Sequence, residues 1–462
     1  MRHRRKRVEQ LAGWGRAPVV EAHEIRSEDL ARITDGRPLS RGLGRSYGDS
    51  SLPASPDHDV VSTVLADRML SFDEATGVLR AEAGLSLRDI YRSFLPRGWF
   101  VPVTPGTQFV TLGGMVAADV HGKNHHQAGC FGAHIVELVL RVADGRIIVC
   151  SPTVERDLFR ATIGGMGLTG HILEVTFKME RVASPWLWCE SERMPNIDAF
   201  LAGLNEAREQ WPMTAGWIDC VSSGKNMGRG ILFKSRWAKP EEAPRRPPRP
   251  KPAIAIPFDF PSFVLGPLSI RAFNTLFYWK HLRRLRRGIV HPEASFYPLD
   301  MIRHWNRMYG RLGLTQHQCV LPHEAGTGAV RRFLEVLVAR RRASFLCVIK
   351  DCGPEGVGIL SFPRPGISIA LDIAVRKDTP DLIDALNECV IKEGGRIYLA
   401  KDAFTRAEHF RAMEPRIEEF QRIRRRWDPT GKLRSAQSMR LLDSAAAERQ
   451  QGAHAPALRA AL

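Results

Sequence analysis

The chain has 462 residues, 44% of them hydrophobic and 25% charged, which is enough apolar content for two or three domains with cores of ordinary size. Its formal net charge is +17, so the surface is expected to attract phosphate as nucleic acid, anionic lipid or a phosphorylated substrate. The sequence contains no apolar run of about eighteen residues, and its basic start, MRHRRKRVEQLAGWGR, has no apolar segment typical of a secretory signal. These features exclude an integral membrane protein and predict a cytoplasmic one.

The eight cysteines are scattered along the chain, with no C-x-x-C pair and no grouping with histidine that is typical of a zinc site. Most lie in apolar runs that read as strands, such as FLCVIK. We therefore expect buried, reduced thiols and no bound metal.

The first part of the chain, residues 1–184, reads as one α+β unit with glycine-rich connections. HEIRSEDLARITDGRPLSRG predicts a short helix and then a short strand, and VLRAEAG alternates like a strand. SLRDIYRSFLPRG predicts a helix with Ser86 as N-cap and Asp89 at the third position. IVELVLRVADGRIIVCSP predicts a hairpin that turns at Asp144 and Gly145.

The second part, residues 185–395, alternates strands with helices. The predicted strands are GWIDCV, GILFKSRWA, TQHQCVLP, SFLCVIK and ISIALDIAV, and the predicted helices are GAVRRFLEVLVARRR and TPDLIDALNECVIKEGG. This pattern is typical of an antiparallel sheet flanked by helices. Residues 240–290 interrupt it with a proline-rich basic stretch, an apolar aromatic centre and a second basic stretch, KHLRRLRRG. Residues 396–442 are expected to return to the first domain, and residues 443–462 are expected to form a disordered tail.

Four glycine-rich turns punctuate the first domain: RGLGRSYGD, PGT, TLGGMVAADVHG and GGMGLTG. Glycine lets main-chain N–H groups converge on an oxyanion, and Arg41 and Arg45 would add positive charge. None of the four is the G-x-G-x-x-G fingerprint of a Rossmann unit. Each alone is most simply a tight turn, although RGLGRSYGD could cradle a pyrophosphate.

In order and spacing these turns resemble the FAD-binding domain of the vanillyl-alcohol-oxidase superfamily. Over residues 13–441 the chain is more closely similar to the decaprenylphosphoryl-β-D-ribose 2'-oxidase family, through the strings RGLGRSYGD, PGTQFVTLGG, HGKNHHQAGCFG, GGMGLTG, TQHQCVLP, LSFPRPG, GGRIYLAKD and RRRWDPTGKLRSAQSMRL. The resemblance implies an α+β fold: a two-subdomain FAD-binding domain plus a substrate domain with an antiparallel sheet flanked by helices.

The resemblance also implies a function, oxidation of the 2'-hydroxyl of a polyprenylphosphoryl ribofuranose by non-covalently held FAD, followed by a separate keto-sugar reductase that completes epimerisation to arabinose. The implied FAD-binding residues are Ser40, Arg41, Gly42, Leu43, Gly44, Arg45, Ser46, Tyr47, Gly48, Asp49, Ser50, Pro105, Gly106, Thr107, Thr111, Leu112, Gly113, Gly114, Ala118, Asp119, Val120, His121, Gly122, Asn124, His125, Gly167, Ile172, Tyr398 and Lys401. The implied catalytic residues are Lys401 and His121, and the implied substrate-binding residues are Tyr47, Lys123, Trp217, Phe296, Gln316, Gln318 and Lys350.

The base that takes the hydroxyl proton stays open between Lys401, His121 and an ordered water. His121 and His125 are four residues apart, a spacing that metal sites use, but no third ligand stands near them in the string. A solvated loop is the other alternative to a flavin site. Two positions depart from the family pattern: Ala370 stands where the mycobacterial enzymes carry a cysteine, and Cys352 replaces an aromatic residue. Both changes leave the identity of the prenyl carrier open.

Residues 240–290, with arginines around an aromatic centre, predict attachment to an anionic bilayer at the inner face of the cytoplasmic membrane. A flexible loop with a small core of its own is the alternative interpretation. Two other functions compete with the leading one: an FAD-dependent oxidase of a soluble aldonolactone or alditol, and a basic nucleic-acid-binding protein. The chain has no zinc-finger or RNP motif, which disfavours nucleic acid.

Overall fold

The computed structural model describes residues 8–246, 248–249, 252–340, 342 and 344–443. The basic residues 1–7 and almost all of the predicted tail, 444–462, lie outside them. Within the described ranges, no helix is both long and apolar enough to cross a membrane. The described chain is built from three sheets of four or more strands, with short two-stranded pairings beside them.

The first part of the chain forms two of these sheets. Its strands are β1 (Val8–Ala12), β2 (Val19–Arg26), β3 (Leu39–Arg41), β4 (Asp59–Ser62), β5 (Met69–Asp73), β6 (Val78–Glu82), β7 (Trp99–Phe100), β8 (Ile135–Arg141), β9 (Ile147–Cys150), β10 (His171–Lys178) and β11 (Glu180–Arg181). Its helices are α1 (Leu30–Ile33), α2 (Leu87–Phe94), α3 (Leu112–Ala117), α4 (His125–Ala128) and α5 (Arg156–Thr162). The sheet orders are β1-β2-β4-β3 and β5-β6-β10-β8-β9.

Local sequence signals account for much of this part. Helix α2 begins after Ser86, whose Oγ accepts the N–H of Asp89 at 3.2 Å, and strands β8 and β9 form the predicted hairpin. The prediction for HEIR was wrong, because these residues end β2, which pairs with β1 on one side and β4 on the other. Their pairing partners are distant in sequence, so a local pattern could not identify the strand.

The second part contributes an eight-stranded sheet of order β16-β12-β14-β13-β19-β20-β18-β21. Its strands are β12 (Leu187–Met194), β13 (Met213–Ile218), β14 (Gly230–Trp237), β16 (Leu285–Val290), β18 (Leu314–Pro322), β19 (Cys347–Cys352), β20 (Gly366–Ala374) and β21 (Arg396–Ile397), while β15 (Ile254–Ala255) and β17 (Ile302–Arg303) pair separately. The helices are α6 (Ile197–Gln210), α7 (Pro267–Trp279), α8 (Pro292–Phe296), α9 (Gly328–Ala339), α10 (Thr379–Lys392), α11 (Ala407–Met413), α12 (Ile417–Trp427) and α13 (Ala436–Leu441).

Helices α6, α9 and α10 cover one face of the large sheet. His317 on β18 lies with its ring centroid 5.7 Å from that of Phe333 on α9, and its Nε2 is 3.0 Å from Oδ1 of Asn387 on α10. Because side chains alternate along a strand, the neighbours Gln316 and Gln318 point to the opposite face. That opposite face, which we call the site face, carries the polar residues described below.

The C-terminal segment packs against the glycine-rich turn at residues 40–50. Arg440 on α13 is nearly buried and donates to both carboxylate oxygens of Asp49 at 2.7 and 2.9 Å, and to Asp402 at 2.8 Å. Ala436 N–H also donates to the carbonyl of Leu52 at 2.9 Å. A nearly buried cation with two carboxylates therefore holds α13 against the turn at residues 40–50.

Residues 240–290 contain regular structure in the form of β15, α7 and the edge strand β16, which pairs with β12. The last six of these residues are thus part of the sheet. All eight cysteines are free, and six of them are buried.

Candidate active site

The glycine-rich turns lie side by side. Main-chain hydrogen bonds join Leu112 N–H to the carbonyl of Leu85, and Gly164 and Met166 N–H to the carbonyls of Val116 and Ala117. A Cβ built on Gly42 would lie 2.3 Å from Oγ1 of Thr111, so the turn at 40–50 touches the start of α3 directly. The turns at 40–50, 111–122 and 164–170 therefore form one surface.

This surface has the properties that a bound FAD requires. A Cβ on Gly106 or Gly167 would meet no described atom within 4 Å, which leaves the main chain at both positions open to a ligand. Gly167 has a φ of +79°, a conformation that glycine adopts without strain. Among the described residues, the buried Nε of Arg45 and Oε1 of Gln108 have no hydrogen-bond partner. Buried polar atoms of this kind need a ligand or water, so the residues fit the group.

The two arginines of the first turn differ. Arg45 lies with its guanidinium carbon 4.1 Å from the ring centroid of Trp14. Arg41 donates to Oγ of Ser51 at 2.8 Å and to the carbonyl of Ala12 at 2.6 Å, and burial lowers its pKa. The guanidinium of Arg41 thus holds the turn in shape, while Arg45 keeps a free donor.

Several other predicted cofactor residues form hydrogen bonds beside this surface. Ser40 Oγ is 2.7 Å from Nδ1 of His171, Thr111 caps α3 by accepting Gly114 N–H at 3.2 Å, and the hydroxyl of Tyr398 donates to the carbonyl of Ala118 at 2.9 Å. Asp119 is buried, accepts Gly132 N–H at 2.8 Å, and also accepts the hydroxyl of Ser361. Burial raises the pKa of Asp119 to about 6.

His121 stands where the first domain meets the site face. Lys350 Nζ is 2.5 Å from its Nδ1, and the Gln318 amide is 3.2 Å from its Nε2. An ammonium group can only donate, so Nδ1 accepts and the ring proton is on Nε2. The Gln318 amide then accepts this proton through its oxygen, with the two ends of the amide exchanged. Burial, followed by the charge of Lys350, holds the pKa of His121 well below its usual value. His121 is therefore neutral, and its basic nitrogen is already engaged by Lys350.

Lys401 occupies a turn four residues beyond β21. Its Nζ lies 4.2 Å from the ring centroid of Tyr47, and its main-chain N–H donates to the carbonyl of Tyr398. Burial lowers its pKa to about 8, and the charge of Asp372 opposes that shift. An amine with such a pKa is partly neutral near physiological pH and can accept a proton.

Asp372 and Tyr309 are site residues that sequence reasoning missed. Asp372 is buried, and it accepts hydrogen bonds from the Gln316 amide and from the hydroxyl of Tyr309, 3.3 Å away. Gln316 is also 3.3 Å from the hydroxyl of Tyr47. The alternation of ISIALDIAV placed Asp372 on the same face as Ala370, which was the available signal.

Lys123, Trp217 and Phe296 lie further from His121. Lys123 donates to the carbonyl of Ser295, and burial lowers its pKa to about 8. Phe296 is buried with its ring centroid 5.2 Å from that of Phe100. The Trp217 indole donates to the carbonyl of Phe345 at 2.9 Å, and its ring lies 4.7 Å from that of Phe277 on α7.

The register of the sheet places Trp217 on the same face as Lys350 and Gln318. Trp217 is opposite Val348, Val348 is opposite Ala370, and Ala370 is opposite Gln318. Lys350 is two residues beyond Val348, on the same face. The site face thus carries Trp217, Lys350, Gln318, Gln316 and Asp372 in one continuous patch.

His121 and His125 both use their ring nitrogens within the protein. His125 is buried, its Nδ1 accepts Gly353 N–H at 3.0 Å, and its Nε2 is 3.3 Å from Sγ of Cys130. The rings of His121 and His125 are perpendicular, with centroids 6.1 Å apart. The loop is therefore built into the site, which argues against the solvated alternative.

Comparison with known proteins agrees with this geometry. An FAD-binding-domain family model matches residues 29–151. A decaprenylphosphoryl-β-D-ribose oxidase from Mycolicibacterium smegmatis is 34% identical over 455 residues, covering 94% of this chain and 97% of that protein. An uncharacterized protein from Streptomyces coelicolor is 34% identical over 77% of this chain and the whole of that protein.

An L-gulonolactone oxidase from Bos taurus is more distant, at 24% identity over 89% of this chain. The fold is α+β and joins an FAD-binding domain to a substrate domain with an antiparallel sheet, as predicted. The chain belongs to the decaprenylphosphoryl-β-D-ribose oxidase family of FAD-dependent oxidoreductases.

Proposed function

We propose that the protein oxidises the 2'-hydroxyl of a polyprenylphosphoryl-β-D-ribofuranose to a 2'-keto sugar. The observation that carries the proposal is a cluster of polar side chains where the site face meets the FAD-binding surface. The cluster contains Lys401, Lys350, His121, Gln316 and Gln318. The chain is also related over 94% of its length to an oxidase of such a sugar. FAD, when bound, supplies the hydride acceptor for the reaction.

The proposed roles of the site residues follow from their charges and contacts. Lys401 is the proposed base. Its amine has a pKa of about 8, as have those of Lys350 and Lys123, but Nζ of Lys350 already contacts His121 and Nζ of Lys123 donates to a main-chain carbonyl. The pKa of His121 is held well below its usual value, and its Nδ1 already accepts from Lys350. The Lys401 amine removes the proton of the 2'-hydroxyl while hydride leaves the carbon that bears this hydroxyl, so that the alcohol becomes a ketone.

The amides of Gln316 and Gln318 offer donors and acceptors to the sugar hydroxyls on one side of β18. Asp372 orients Gln316, and His121 orients Gln318. The ammonium groups of Lys350 and Lys123 make the site electropositive, which suits a substrate that carries a phosphate. In this proposal FAD is held non-covalently, and a separate reductase consumes the ketone.

Anaerobic mixing of the FAD-loaded protein with a short-chain prenylphosphoryl ribofuranose tests it. We expect bleaching of the oxidised-flavin absorbance and formation of one equivalent of ketone. The 2'-deoxy analogue is the matched control, since it presents the same phosphate and chain without the reacting hydroxyl. Bleaching by aldonolactones or alditols, but not by the prenylphosphoryl sugar, would assign the protein to the soluble-substrate oxidases instead.

A further inference from the structure

The outer side of α7 is apolar and open to solvent. Leu268, Leu276 and Trp279, at spacings that place them on one side of the helix, are 83%, 72% and 52% exposed. Leu282, just after the helix, is 83% exposed, and Phe263, just before it, is 75% exposed. Single exposed apolar residues are ordinary, whereas five large ones on and beside one helix mark an interaction surface.

The inner side of α7 is firmly held. The Asn274 amide is buried and donates to Oδ1 of Asp219 at 2.8 Å, and Tyr278 is also buried. Phe277 packs on Trp217 of the site face. The exposed side chains are therefore presented by an anchored helix.

The charges around this surface are nearly all positive. Residues 254–290 contain six lysines and arginines and a single carboxylate, Asp259, which forms a two-contact ion pair with Arg16 at 2.6 and 3.1 Å. Arg284 and Arg287 contact Glu192 and Glu190, and the other four basic side chains are exposed: Arg271, Lys280, Arg283 and Arg286. Apolar side chains between exposed cations match the interface of an anionic bilayer.

We propose that the outer side of α7, with Phe263 and Leu282, docks on anionic lipid. A second copy of the chain is a poorer occupant, because its own surface would bring the same cations into apposition. The apolar residues would enter the boundary between headgroups and acyl chains while the basic residues contact lipid phosphates. Docking would then place α7 between the bilayer and the site face, with Phe277 and Trp217 in contact beneath it.

This placement rests on the proposed function and deepens it. A substrate whose sugar is attached through phosphate to a long prenyl chain stays in the bilayer, so the enzyme must bring its site to the membrane surface. Trp217 joins the docking helix to the same face that carries Lys350 and Gln318. The reacting sugar would therefore reach the site from beside α7.

Flotation of the FAD-loaded protein with vesicles tests the docking, with vesicles of phosphatidylcholine alone compared with vesicles that contain phosphatidylglycerol. We expect binding to the anionic vesicles that weakens as salt rises, since the attraction acts over a Debye length of about 8 Å at physiological ionic strength. The variant Leu268→Ser/Leu276→Ser/Trp279→Ser should bind at least about tenfold more weakly, even at low salt.

The matched control replaces three exposed apolar residues of the other domain, Val19→Ser/Leu65→Ser/Val154→Ser, and should float like the wild type. Equal flavin content in all three proteins shows that they are folded. Unchanged flotation of the α7 variant overturns the proposal, and so does a wild type that ignores vesicles but loses self-association on the α7 substitutions. These vesicles contain no substrate, so failure of docking and failure of the proposed oxidation are seen separately.

Discussion

The site face and the outer side of α7 depart from ordinary burial in opposite directions. The site face buries polar groups, among them Asp372, Gln316, Gln318 and His121, and each has a hydrogen-bond partner within the protein. The outer side of α7 exposes Leu276 and comparable apolar residues. One region keeps polar chemistry away from water, and the other offers apolar surface to it.

Burying polar residues and exposing apolar ones have different costs and different purposes. Buried polar residues are tolerated because they are satisfied, and they hold one another in a fixed geometry. Exposed apolar residues contribute little to the fold, so their purpose lies in what covers them. Substitutions on the site face should therefore change flavin reduction, and substitutions on α7 should change membrane binding.

The largest effect is expected for Lys401→Ala. Loss of the proposed base should slow flavin reduction by short-chain substrate at least about 100-fold while FAD stays bound, because the cofactor surface keeps its other contacts. Stopped-flow absorbance under anaerobic conditions measures the rate, and released flavin measures occupancy. Lys401→Arg is the matched control, since arginine keeps the charge but cannot act as a base at neutral pH. Recovery of the rate in the arginine variant would show that Lys401 supplies charge alone.

The pH dependence of the same reaction should give the next largest effect. With a pKa of about 8, the neutral amine of Lys401 becomes more abundant as pH rises, so the rate should increase about 30-fold between pH 6.5 and 9 and then level off. The lysine pKa is lowered by burial, so the neutral form is reached below its usual range. A rate that is flat or falls over this interval, with FAD still bound, would exclude Lys401 as the base.

Asp372→Asn should have a smaller effect on the rate and should move the midpoint of its pH profile in one direction. The charge of Asp372 raises the pKa of Lys401, so its removal should lower that pKa further and move the midpoint of the pH profile to lower pH. Loss of a fixed acceptor for Gln316 and Tyr309 should also slow the maximal rate by about tenfold. A slower rate with an unmoved midpoint would mean that Asp372 acts on the glutamine alone.

The smallest effect is expected from the α7 substitutions Leu268→Ser, Leu276→Ser and Trp279→Ser on the soluble substrate. Flavin reduction by the short-chain compound should change less than about twofold, because none of the three side chains is buried against the site face. Turnover of a long-chain substrate embedded in anionic vesicles should fall in the same protein. An equal fall with both substrates would show that α7 shapes the site itself.

Local sequence determined much of this protein. The cap at Ser86, the hairpin at Asp144 and Gly145 and the alternation of TQHQCVLP are short-range signals, and each element formed where they indicated. The glycine-rich strings and HGKNHH indicated the cofactor and the family, because the chemistry of binding FAD restricts residue types at those turns. The apolar and basic composition of residues 240–290 was equally visible.

The tertiary structure decided the rest, because it depends on which distant segments meet. The partners of His121 lie at Gln318 and Lys350, about two hundred residues away, and only sheet register brings them to the same face. Contacts between distant segments also decided three other features: the role of Asp372, the strand at residues 19–26 and the different contacts of Arg41 and Arg45. In helix α7 the sequence shows that Leu276 and Phe277 are both apolar, but only packing against Trp217 decides that Phe277 is partly buried while Leu276 stays exposed.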